Sequence, residues 1–173
     1  SVKIFVGISI VVVLVLGDKA GHFRVGSVGE GTDTVSLDLP GVQPELAAAV
    51  LETGVPVVLV LINGRPFAIP SLVERCAAVV EAWFPGEAGA AAIVDVLTGA
   101  TNPGGRLTVT YPRATGSMPR FYNHKPLARG IPRAPEFEPL FPFGHGLGYT
   151  TFAYRDFAIG SPSIPTDGET LVE

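Results

Sequence analysis

Residues 56–64 read PVVLVLING, and the stretch decides the fold. Six consecutive β-branched or leucine residues, with no polar alternation, predict a strand buried on both faces. Such strands belong to parallel sheets covered by helices. Pro56 restarts the chain after QPELAAAVLETG (43–54), which has helical composition and a glycine stop at Gly54. Upstream, ISIVVVLVLG (8–17) is expected to be another buried strand, followed by a glycine-rich loop over 19–41. Downstream, PSLVERCAAVVEAWF (70–84) combines a short helix with a short strand, and AAAIVDVLTG (90–99) is a further helix ending at a glycine. GRLTVTYP (105–112) alternates well enough to be an edge strand.

Apolar strands separated by helices predict an α/β fold, a three-layer αβα sandwich with a mostly parallel sheet. From Tyr111 onward proline, glycine and aromatics replace any regular period, so a long irregular tail is expected to pack on another surface. The 173 residues suffice for one such domain, not for two comfortable ones. A 47% hydrophobic and only 16% charged composition points to heavy burial or a partner surface. VKIFVG (2–7) resembles a first parallel strand, yet only Ile8 and Ser9 separate it from the next apolar run. A parallel neighbour needs a crossover of about a dozen residues. The two form one long strand, or the domain is incomplete at its start.

Several functions are excluded. A formal net charge of −4 leaves no electrostatic footprint for nucleic acid. The apolar run Ile4–Leu16 is interrupted and shorter than the roughly 20 residues that span a bilayer, and no basic amphipathic helix offers itself to a membrane surface. No signal-peptide cleavage pattern follows it, and the compartment stays open. Cys76 is the only cysteine, so neither a disulfide within the chain nor a thiolate cluster is available. GSVGEG (26–31) fits neither dinucleotide nor P-loop spacing, and no nucleophile elbow occurs.

Glu30 stands between Gly29 and Gly31 on a loop too flexible for a helix. Taken alone, it is either a solvated loop carboxylate or one carried deliberately toward a ligand. Glu87, after Pro85–Gly86, is a rival carboxylate that reads as a favourable charge at a helix start. His145, between two glycines, reads as a hydrogen-bonded packing residue. Trp83 and Phe84 read as a buried strand end. Tyr122, His124 and Lys125 in FYNHKP (121–126) are candidates for a substrate rim.

Five stretches in order, GEGTDTVSLDLPGVQPEL, TGVPVVLVLINGRPFAI, VEAWFPGEAGAAAIVDVLTGATNPGGRLTVTYPR, FYNHKP and EPLFPFGHGLGYTTF, resemble the C-terminal sandwich domain of family 3 glycoside hydrolases. The resemblance runs over roughly residues 10–157. It implies a retaining, exo-acting β-glycosidase, β-glucosidase-like, acting on terminal non-reducing β-D-glucosyl residues of a β-glycoside or oligosaccharide. A (β/α)8 barrel outside this chain would carry the nucleophilic aspartate, and Glu30 matches the family's general acid/base. No cofactor or metal is implied. By the same resemblance, 1–157 would be the sandwich domain and 158–173 a linker and the start of a fibronectin type III-like domain. The chain departs from the family pattern at Thr34, where an arginine usually follows the aspartate, at Thr32, where many members carry an aromatic, and at Gly148, where serine is common. A non-catalytic carbohydrate-binding or structural module is the alternative.

Overall fold

The computed structural model describes residues 10–22, 25–123, 138–161 and 163–170. Three strands, β1 (Val12–Gly17), β2 (Val57–Ile62) and β3 (Ala78–Glu81), lie side by side in the order β1-β2-β3. Both pairings are parallel, with Leu14 opposite Leu59 and Leu16 opposite Leu61. Helix α1 (Gln43–Leu51) and the short α2 (Pro70–Arg75) occupy the two crossovers, and α3 (Gly89–Thr98) follows β3. The α/β class and the parallel sheet are as the apolar runs predict.

The core gathers on one face. Leu14, Leu16, Val57, Leu59 and Leu61 pack with Ala47 and Val50 of α1, Leu72 of α2, and the loop residues Leu39, Phe67 and Ile69. Each of these valine, leucine, isoleucine and phenylalanine side chains contributes roughly 1.5–3 kcal/mol by leaving water. Gly17 closes β1 where its Cα faces Ile62; a Cβ there would stand 1.8 Å from the Ile62 carbonyl oxygen. The Gln43 amide then bonds both backbone groups of Gly17, at 2.8 Å each, and ties α1 to the strand end.

Two expectations need correction. β1 is not buried on both faces: Val13 is 47% and Val15 54% exposed, so the sandwich is open beside β1 among the described residues. An all-apolar run cannot report which of its two faces is covered. GRLTVTYP forms no strand either. Only Tyr111 makes an isolated antiparallel bridge, to Phe141, with Leu107 bonded to the backbone of Gly144 and His145. The residues after Tyr111 hold one 3-10 turn (Thr115–Ser117) and no helix or strand among those described, and they leave Tyr149, Phe152, Tyr154 and Phe157 exposed. VKIFVG (2–7) lies outside the described residues.

Candidate functional site

In parallel α/β sheets, ligands collect at the carboxyl ends of the strands. Here that edge carries Asp18 directly after β1, Asn63 and Arg65 after β2, and Glu81 closing β3. The loop bearing Glu30 leaves from the same edge.

Its base is tightly bonded. Ser27 Oγ donates to Asp18 Oδ1 at 2.9 Å and accepts from the Lys19 amide at 2.8 Å. The Ser27 amide donates to Lys19 O at 2.8 Å and the Gly21 amide to Val28 O at 2.9 Å, which doubles the chain back on itself. Arg65 Nη2 donates to two carbonyls, those of Ser27 at 2.9 Å and Thr32 at 2.8 Å. Between them the chain turns, closed by a Thr32 amide to Gly29 carbonyl bond of 3.1 Å.

Gly29 makes this turn possible. Its φ is +120°, and a Cβ there would meet Gly21 O at 1.9 Å. Val28 and Thr32 are buried on either side, while the Glu30 side chain stands 79% exposed at the tip. His22 Nδ1 is its near neighbour at 3.8 Å. A groove of about 540 Å³ opens beside the loop, lined among others by Asp18, Asp33, Asp38, Arg65 and Phe67.

The other predicted residues disperse. Glu87 is exposed and precedes α3 by two positions. The His145 ring stacks on Phe141 at 4.7 Å, and its backbone bonds Leu107 and Pro142. Trp83 is half-buried and Phe84 46% exposed, both beyond the end of β3, so they are not the buried strand end their neighbours predict. Tyr122 is exposed with its ring 4.7 Å from that of Phe143; His124 and Lys125 lie outside the described residues.

Sequence reasoning missed a polar cluster behind the loop. Buried Tyr111 donates its hydroxyl to Glu81 Oε2, and the Trp83 amide donates to Glu81 Oε1 at 3.0 Å. Asn63 Nδ2 donates to Tyr111 Oη at 3.2 Å and to Arg65 O at 2.8 Å. Asn63 Oδ1 and Arg65 Nε are buried without a hydrogen-bond partner among the described residues. The available signal was a carboxylate ending an apolar strand in AAVVE, and Asn-Gly-Arg directly after a wholly apolar one.

Burial raises the Glu81 carboxyl above its ordinary value of 4.5, against the lowering effect of its bonds from Tyr111 and Trp83. Burial and the Glu81 charge raise the Tyr111 hydroxyl as well. Between the unfolded and the raised native value of Glu81, the native state holds a proton that the unfolded chain has released. That contribution to stability is complete below the unfolded value and is lost as pH rises through the native one. Replacing Glu81→Gln is therefore expected to make the fall of the urea midpoint with rising pH shallower above the ordinary carboxylate range. Parallel curves for wild type and variant would contradict a raised carboxyl.

These features define a class: a parallel α/β domain that presents one exposed carboxylate from a braced glycine turn at the carboxyl edge of its sheet. The chain belongs to the glycosyl hydrolase family 3 C-terminal domain family, whose model matches residues 8–149. A β-xylosidase from Formosa agariphila is 42% identical over 165 residues, covering 93% of this chain and 22% of that protein. A periplasmic β-glucosidase from Salmonella typhimurium is 39% identical over 172 residues, covering 92% and 22%. Among solved structures, a β-glucosidase from Erythrobacter marinus superposes with a TM-score of 0.75 at 40% identity, covering 90% of this chain and 21% of that one. A β-glucosidase from Listeria innocua in complex with glucose gives 0.72 at 35% identity, covering 87% and 22%. The chain thus spans about a fifth of the length of the relatives it matches.

Proposed function

We propose that this domain supplies the general acid/base of a retaining, exo-acting β-glycosidase, β-glucosidase-like, and that Glu30 is that group. The nucleophilic aspartate belongs to a (β/α)8 barrel outside these residues. On this reading residues 1–157 belong to the sandwich domain, and 158–173 are a linker and the beginning of a fibronectin type III-like domain. The observation that carries the proposal is the turn at 29–32, which holds Glu30 outward while both flanks are buried.

The two steps of a retaining mechanism use one carboxyl twice. Protonated Glu30 gives its proton to the glycosidic oxygen as the C1–O bond breaks toward that oxygen and the aspartate bonds C1. Ionised Glu30 then takes a proton from water as the water oxygen bonds C1 and the aspartyl ester bond breaks. The glycone is a terminal β-linked glucosyl residue, in keeping with the β-glucosidases among the relatives.

One carboxyl cannot be both the acid/base and the nucleophile. The purified 173-residue chain is expected to release no aryl alcohol from an aryl β-glucoside, under conditions where the complete enzyme turns over. Turnover by the chain alone would place both carboxyls within it and overturn this division of labour.

A further inference from the structure

We propose that Arg65 is a positioning residue for Glu30, a role that rests on the assignment of Glu30 as acid/base. One guanidinium nitrogen bonds the carbonyls of Ser27 and Thr32, the two points between which the turn rises to its tip. Each hydrogen of Nη2 serves one carbonyl, so a single group fixes the width of the turn's base.

The brace does not touch the Glu30 carboxylate; it acts through the backbone. It is itself held from behind. Asn63 Nδ2 bonds the Arg65 carbonyl and the Tyr111 hydroxyl, and Tyr111 bonds Glu81. A continuous set of hydrogen bonds therefore links the ends of β2 and β3 to the turn. Asp18 completes the base from β1, through Ser27 and the Gly64 amide. An acid/base on a glycine turn is free to swing unless its ends are fixed. A displacement of about 1 Å can cost ~10²-fold in rate.

Lysine at this position keeps the charge and a nitrogen with several donors but loses the guanidinium's fixed plane, so the two carbonyls are held by a mobile group instead of a rigid one. The test uses the complete enzyme with Arg65→Ala, Arg65→Lys, Glu30→Gln and the double variant Glu30→Gln/Arg65→Ala. For Arg65→Ala, kcat/KM on glycosides with poor leaving groups is expected to fall about tenfold to a hundredfold. On activated aryl glycosides kcat/KM holds, while kcat and KM fall together because the covalent intermediate accumulates. In the Glu30→Gln background, Arg65→Ala should add no further loss on poor leaving groups, because both act on one proton transfer.

A purely structural role would instead lower kcat/KM equally for all leaving groups and multiply with Glu30→Gln. Either result overturns the proposal and leaves Glu30 in place. If Glu30→Gln itself shows no leaving-group dependence, the acid/base assignment falls, and this inference with it. Should Arg65→Ala fail to fold, Arg65→Lys decides on the same readouts: a leaving-group-dependent loss supports the brace, and wild-type rates on every substrate overturn it.

Discussion

Glu30→Gln in the complete enzyme is expected to lower kcat/KM for alkyl and sugar aglycones by about 10²- to 10⁴-fold, the range contributed by a general acid. Glutamine keeps the shape of the side chain and cannot transfer a proton. The loss should grade with the leaving group, because a poor one departs only when protonated. Aryl glycosides with strongly acidic phenols should keep most of their glycosylation rate. Their turnover then stalls at the second step, where the same residue activates water, so kcat and KM fall together. The fold should not suffer, because the Glu30 side chain is exposed and its near contact is His22 at 3.8 Å. A uniform loss across leaving groups would contradict the role.

The second large effect is expected at Gly29. Its φ of +120° and the 1.9 Å that would separate a Cβ from Gly21 O leave no room for a side chain. Gly29→Ala must rebuild the turn, moving Glu30 while its chemistry stays intact. A loss of about 10²-fold on poor leaving groups follows from that displacement. The core lies elsewhere, among Leu14, Leu59, Leu61 and the helices, so the variant should still fold, at an unfolding temperature lowered by the strain in the turn. Wild-type rates in Gly29→Ala would show that the turn need not be held in this geometry.

Much of this fold was legible because its strands are short apolar runs and helix α3 ends at a glycine. Val57–Ile62 is apolar throughout and sits at the centre of the sheet, buried along most of its length. Gly99 closes α3 in the left-handed conformation that the glycine stop implies. The composition of β1 matches that of β2 and predicts the same burial on both faces. What separates them is cover: among the described residues β1 is an edge strand, and the face carrying Val13 and Val15 is left exposed. The alternation in Leu107, Val109 and Tyr111 is real, but a strand also needs a continuous neighbour, and the tail offers Tyr111 a single bridge.

Glu30 stood out locally, through its flanking glycines and the motif around them. Its support did not. Arg65 reaches carbonyls 38 and 33 positions away, and Tyr111 meets Glu81 30 positions away. Only the parallel register brings these residues to one edge, and no local pattern encodes it.

The central claim is that Glu30, and not Glu87, is the acid/base. It is tested most directly by adding azide to the two glutamine variants of the complete enzyme and determining the product by NMR. In Glu30→Gln the uncharged amide no longer repels an anion. Azide should then attack C1 of the stalled glycosyl-enzyme, restore turnover on activated aryl glycosides, and yield a β-configured glycosyl azide. Glu87→Gln should hydrolyse the same substrates to free sugar, with no acceleration by azide. A β-glycosyl azide formed by the Glu87 variant and absent from the Glu30 variant would contradict the account.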